Sequence, residues 1–411
     1  MNVRDFAGVR AEVAARTRLP DPAVLRERGR RRRRTHRSMS ITASVLALAL
    51  VVGGGFGLSQ LRSHAGEPMA LISTPRPASP YGVVCDTVAY DAKDVYYVIN
   101  TLWDCYRTTG FILSHSPDAG RTWQTWWMPE VGKGEELPPF LLDRSTLVWR
   151  QVISRDGGRT WRSVPQTGPT VAEIPAGWPL AWVDMERSGR QYVAVDPATG
   201  QRYPLTSQPN AGLSSLAQGQ HLVLPAADGS LWVAVSDDNN HYAVAVSRDH
   251  GRSWRRSPAL SRSGAFTVAS RDGKTAYACG DDMTNKGPDR MFRTTDGGVS
   301  WHLVDQPAPT RLCASGELQL VVRADGSLLA VAPWTDGELG GPLMASTDGG
   351  RTFRAVPGLP TNLTQIERLP GGGYQLSGVT GNNDDGVRTL VSADGVTFQP
   401  VHIPPGASQP G

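Results

Sequence analysis

Carboxylates dominate the residues whose type and placement suggest chemistry. Asp237 with Asp238, Asp281 with Asp282, Asp336 with Glu338, and Asp384 with Asp385 form four acidic pairs in polar segments. Hard cations take several oxygen ligands, so such segments, gathered at one rim, would suit Ca2+ or a cationic ligand. None has EF-hand spacing, and the alternative is ordinary solvated loops. Four cysteines, Cys85, Cys105, Cys279 and Cys313, allow three disulfide connectivities or a set of buried thiols. The eight histidines have no metal-ligand spacing, and no phosphate-binding glycine loop opens a helix.

A second set of aspartates is patterned differently. Asp118, Asp156, Asp249, Asp296 and Asp348 each stand two residues after a Ser or Thr and five before an aromatic residue, namely Trp123, Trp161, Trp254, Trp301 and Phe353. Asp394 repeats the pattern one residue shorter, ending at Phe398. In this arrangement the carboxylate accepts backbone N–H groups inside a tight turn, a following Gly supplies a positive φ, and the aromatic ring packs between sheets. The motif is a folding device. Its aspartates lie 38, 93, 47, 52 and 46 residues apart, and Asp196-Pro197-Ala198-Thr199-Gly200 fills the double gap, giving a mean step of 46. Turn signals at Asp228-Gly229, Asp272-Gly273, Asp325-Gly326 and Gly371-Gly372-Gly373 precede four of the motifs by 21, 24, 23 and 23 residues. Each unit therefore reads strand, tight turn, strand, variable loop, strand, Asp motif, strand, which is the arithmetic of a β-propeller blade.

These motifs resemble the BNR, or Asp-box, propellers of sialidases, sortilin-type receptors and many bacterial exported proteins. The resemblance covers about residues 82–404. It implies an all-β propeller of seven four-stranded blades, with six as the alternative, in which the motifs are structural and lie away from any active site. The units around Asp156 and Asp196 are short, and their first strands are hard to find. In a propeller the tight turns and Asp motifs share one face and the remaining loops share the other, which would carry all eight paired acids. Cys85 with Cys105 and Cys279 with Cys313 then join ends that the fold brings near. A sialidase would need an arginine triad, an acid and a Tyr–Glu pair. The nearest match to the leading arginine motif of that family is Pro75-Arg76-Pro77, ahead of the blades, so no family arginine carries over. Isolated candidates are Tyr106, Arg107, Asp281, Arg290 and Arg311. Trp126-Trp127 offers either an aromatic platform for sugars or packing at a blade edge.

These elements need a frame, and composition supplies part of it. The 411 residues include 45 Gly, 31 Pro and 12 Trp, a mixture suited to short strands and turns. Net charge is +4, but residues 1–37 hold twelve arginines and four acids, a net +8, leaving −4 for the rest. A basic surface spread over nucleic acid is therefore excluded, and no nucleic-acid partner is expected. Residues 38–61 are 24 consecutive uncharged positions, enough to cross a bilayer at roughly 20 residues per span. The arginines before them put residues 1–37 in the cytoplasm, as short helices, and the remainder outside. A cleaved signal peptide is the alternative, disfavoured by the length of both segments. Residues 62–81, with four prolines, read as an extended spacer, and residues 405–411 as a flexible tail. The segment Leu19-Pro20-Asp21-Pro22 leading into the arginines also looks like the cytoplasmic start of membrane proteins that accompany extracytoplasmic-function sigma factors.

The expected protein is a single-pass cell-membrane protein displaying a disulfide-supported propeller outside the cell. It acts as a non-catalytic binding or scaffold module for a protein or glycan, with no cofactor unless Ca2+ binds the loop face. A sialidase-like hydrolase and a sensor whose tail contacts a cytoplasmic regulator are the alternatives.

Overall fold

Among the described residues, seven blade sheets, antiparallel within each blade, succeed one another along the chain, each built on the alternation that its strands carry. In the first blade Tyr96 and Val98 face one neighbouring sheet while Tyr97 and Ile99, one residue out of step, face the other. The computed structural model describes residues 71–73, 82–102, 109–130, 139–164, 167–185, 189–209, 222–236, 241–261, 266–280, 290–305, 319–331, 334–335, 338–379, 387–405 and 407–408. All lie in the unit Pro68–Gly411. The expected cytoplasmic tail and membrane segment lie outside these residues.

From the inside outward, the first blade is Gly82–Ala89, Val95–Asn100, Phe111–Ser116 and Gln124–Trp127. The second is Phe140–Leu141, Leu147–Trp149, Val152–Ser154 and Thr160–Ser163. The fifth, sixth and seventh begin at Phe266–Ser270, Gln319–Val322 and Leu363–Arg368 and follow the same order. The protein is thus an all-β, seven-bladed propeller. Seven apolar clusters sit between consecutive blades, the last joining Leu369 and Val391 of the seventh to Val84 and Tyr97 of the first. That last cluster closes the ring.

The third and fourth blades depart from the expected order. The repeat places the strand ahead of Asp228-Gly229 in the fourth unit, yet Leu222–Val223 pairs with Leu180–Ala181 of the third. The reason lies upstream, where residues 167–171 run along the outer edge of the third blade: Gly168 N donates to Arg202 O, and Val171 bridges Leu205. Leu180–Met185 therefore has no inner neighbour of its own, and Leu222–Val223 satisfies that exposed edge. The fourth blade keeps three described strands, Leu231–Ser236, Tyr242–Ser247 and Arg255–Arg256.

Both ends of the propeller are tied down where the sequence suggested loose chain. Leu71–Ser73, inside the expected spacer, pairs with Arg162, Trp161 and Thr160 at the outer edge of the second blade. Ala407 and Ser408, inside the expected flexible tail, pair in parallel with Gly82 and Val83 at the inner edge of the first. Neither pairing has a sequence signature, because it consists of backbone bonds to edges that exist only after folding.

Candidate functional site

The Asp motifs join the third and fourth strands of their blades and share a face with the tight turns. Ala119 N donates to Lys93 O, Gly157 N to Ser145 O, and Gly297 N to Lys274 O, each linking a motif to the turn of its own blade. In the second blade Ser154 Oγ donates to Asp156 Oδ1 at 2.9 Å, Thr160 N to the same oxygen at 2.9 Å, and Thr160 Oγ1 to Oδ2 at 2.6 Å. Around Asp118, Asp249, Asp296 and Asp348 the pattern repeats, and Asp394 receives Val396 N and Thr397 N. Asp196 retains part of it, accepting Ala198 N and Thr199 Oγ1. These donors hold the carboxylates ionised. The Ser300 hydroxyl and N–H push Asp296 well below the usual range, the Thr352 hydroxyl and N–H bring Asp348 to about 2, and the N–H of Thr397 brings Asp394 to about 2.

Each motif aromatic packs between its own blade and the preceding one. Trp161 is fully buried between the first and second blades, whereas Trp123, Trp254, Trp301, Phe353 and Phe398 are half-buried in the corresponding seams. Trp126-Trp127 resolves as packing at a blade edge: Arg159 lies 5.3 Å over Trp126, and Trp127 packs into the seam between the seventh and first blades.

Of the eight paired acids, Asp237, Asp238, Asp281, Asp282, Asp336, Asp384 and Asp385 lie outside the described residues. Glu338 belongs to a small hairpin, Glu338–Leu339 against Trp334–Thr335, inserted between the second and third strands of the sixth blade. Tyr106, Arg107 and Arg311 lie outside as well, and Arg290 is exposed at the start of its strand. Cys85 sits at a bulge in the innermost strand of the first blade and Cys279 is buried in the second strand of the fifth. Neither is a free thiol, and Cys105 and Cys313 lie outside the described residues.

The innermost strands carry two acids that the sequence did not single out. Asp86 is carried by the innermost strand of the first blade and Glu367 by that of the seventh. The bulge at Cys85 sets Asp86 opposite Val98 and Thr87 opposite Tyr97. Glu367 is the cross-strand partner of Gln375, so their side chains emerge on the same face of the seventh sheet. That face meets the first blade, where Gln375 Nε2 donates to Thr87 O at 3.0 Å and Thr389 Oγ1 donates to Thr87 Oγ1 at 3.1 Å. Asp86 and Glu367 retain partial contact with solvent. Protein surrounds them nonetheless. Burial pushes Asp86 up to about 7 despite the Thr87 N–H that it accepts. Burial, together with the charge on Asp86, pushes Glu367 to about 8.

A side chain also links distant blades at the turn face. Arg368 Nη2 donates to Pro225 O at 2.7 Å, and since the seventh and fourth blades are not neighbours, the bond spans the ring. Arg368 ends its strand just before the turn at Leu369–Gly373, so the crossing lies at the turn face. Burial, reinforced by Arg271, lowers the guanidinium to about 10, which leaves it charged. Asp86 and Glu367 could have been suspected from charge alone, as acids interrupting Val83-Val84 and Leu363–Arg368 where an inner strand should be apolar.

No family model matches the chain, and no curated protein matches it in sequence. Solved structures similar to it include TolB from Acinetobacter baumannii, at 14% identity and a TM-score of 0.42, over 78% of this chain and 66% of that one. A Mycobacterium tuberculosis puromycin-hydrolyzing peptidase matches at 14% identity and 0.45, over 80% and 56%. The chain thus spans less than two thirds of either. YCF48 from Cyanidioschyzon merolae matches at 14% and 0.39, over 78% and 98%.

Proposed function

We propose that this chain is a membrane-tethered, extracytoplasmic propeller of the BNR, or Asp-box, type that serves as a non-catalytic binding module for a protein or glycan, recognised at its loop face. The observation that carries the reading is the inequality of the two faces. On the turn face the motif carboxylates are occupied by their own backbones, and Arg368 crosses the axis. Recognition therefore falls to the opposite face, whose loops vary freely on a fixed scaffold. The uncharged segment 38–61 behind an arginine run supports the tether. The bonded state of Cys85 and Cys279 supports an oxidising compartment, with Cys85–Cys105 and Cys279–Cys313 as the proposed pairs.

The test is in-cell crosslinking and capture with the full-length protein beside a form lacking residues 1–37. Both should retain the same extracytoplasmic protein or glycan. Retention of a cytoplasmic regulator by the full-length form alone would make the protein a transducer instead, and turnover of a fluorogenic sialoside would make it a hydrolase.

A further inference from the structure

The strand Leu71–Ser73 fixes where the chain ahead of the propeller meets it. The outer strand of the second blade, Thr160–Ser163, leaves the motif of Asp156 at the turn face and runs toward the loop face. At that end Ser163 stands opposite Val152, and Val164 N donates to Gln151 O at 2.8 Å. Leu71 pairs with Arg162 and Ser73 with Thr160, so this antiparallel strap enters at the loop-face end and leaves at the turn-face end. The first blade is entered from the same side, because Gly82–Ala89 runs from the loop face to the turn at Tyr90–Asp94.

The pairing also sets a length. Unpaired, residues 62–81 would join the uncharged segment 38–61 to the first blade with a reach of about 70 Å. With Leu71–Ser73 bound to the second blade, the free arm is residues 62–70, which span at most about 30 Å. A six-residue strand such as Val95–Asn100 is about 20 Å long, so the turn face stands a further strand length away.

We propose that this strap holds the loop face toward the membrane, and that the partner recognised there is a protein embedded in that same membrane. The inference rests on the tethered binding-module reading and names the class of its partner. Charge favours a protein over the lipid surface itself. The connections made at the loop face include the acidic pairs from Asp237-Asp238 to Asp384-Asp385, which anionic headgroups repel and a basic protein surface complements.

Energy transfer tests the orientation. Lys93 and Leu102 flank the strand Val95–Asn100, are both exposed, and stand at the turn face and the loop face respectively. The full-length protein is reconstituted in phosphatidylethanolamine–phosphatidylglycerol vesicles with an acceptor dye on the headgroups. A donor dye on Leu102→Cys should transfer at least about twofold more efficiently than one on Lys93→Cys, the two sites being about 20 Å apart. Of two adjacent strand residues one aims its N–H at the neighbouring strand, so Ile72→Pro with Ser73→Pro removes a strap bond. That variant should lower the Leu102 transfer toward the Lys93 value. Equal transfer from the two sites, greater transfer from Lys93→Cys, or a Leu102 signal unchanged by the two prolines would each overturn the proposal.

Crosslinking separates this inference from the reading beneath it. A cleavable photocrosslinker on Leu102→Cys in cells should release a partner that stays with the membrane in alkaline carbonate. A partner that washes off overturns the membrane-embedded class and leaves the binding module standing. A full-length protein that does not float with the vesicles removes the tether, and the inference falls with it.

Discussion

The turn face and the axis hold the same functional group in opposite states. On the turn face, Asp156, Asp348 and Asp394 each receive several donors from their own motif, and the bonds outweigh what little burial there is. At the axis, Asp86 receives one N–H while Glu367 receives a neighbouring negative charge, and burial outweighs both. A carboxylate surrounded by local donors is a structural rivet, whereas one surrounded by protein but short of donors keeps its proton. Damage to the turn face should therefore lower stability and spare binding, and loss of an innermost-strand acid should instead change how stability depends on pH.

The largest expected effect is at Trp161, fully buried, with its indole N–H on Gly158 O at 3.0 Å. Trp161→Ala should cost about 3–5 kcal/mol in denaturant unfolding. If that variant, once folded, also loses its partner, the faces are not independent. Next is Asp156→Ala, which strands three donors and should cost about 2–3 kcal/mol, against about 1 kcal/mol for Asp196→Ala in the reduced motif. Equal losses would mean that the hydrogen-bond count does not set motif strength.

Two pH limbs follow from the pKa directions. The motif carboxylates are depressed, so their stabilisation is complete above pH ~4 and is lost as pH falls through about 2. The axial pair is raised, so the native state binds more protons than the unfolded chain between pH ~4 and about 8, and stability declines as pH rises across that window. Glu367→Gln should flatten the upper limb, adding about 1–2 kcal/mol at pH 8 and almost nothing at pH 4, the gain being tempered by partial solvent contact. An upper limb unchanged in that variant would remove Glu367 from the protonated pair.

The smallest effect probes motif geometry. Ala119 and His250 occupy positions where other motifs have Gly, with φ of 60° and 56°. Ala119→Gly should relieve this strain and raise stability by less than about 1 kcal/mol, since the unfolded chain also gains freedom. A loss instead would locate the Ala119 side chain, which packs near the seam of the seventh and first blades, as the stronger term.

Much of the fold was legible because its signals are local. An Asp two residues after a Ser, with Gly and an aromatic following, closes its hydrogen bonds within one turn, so Asp118 and Asp348 could be interpreted without knowing what lay beside them. The step of 46 residues and the remnant at Asp196 gave the blade number. The origin of the third blade's inner strand was not legible, because Leu222–Val223 carries the same pattern whichever sheet it joins. Gln375 was equally silent: a Gln in an apolar strand acquires meaning only when Thr87, 288 residues away, takes its N–H and leaves its oxygen bare.

The sequence by itself determined the all-β class, the repeated four-stranded unit, the ionised motif turns and the seams their aromatics fill, since each depends on residues within a few positions of one another. Only the tertiary structure decided that Leu71–Ser73 and Ala407–Ser408 close exposed edges, that Arg368 reaches Pro225 across the ring, and that Gln375 meets Thr87. Those outcomes depend on distances set by ring closure, and a closed ring brings the first blade against the last at a separation along the chain that no local pattern encodes.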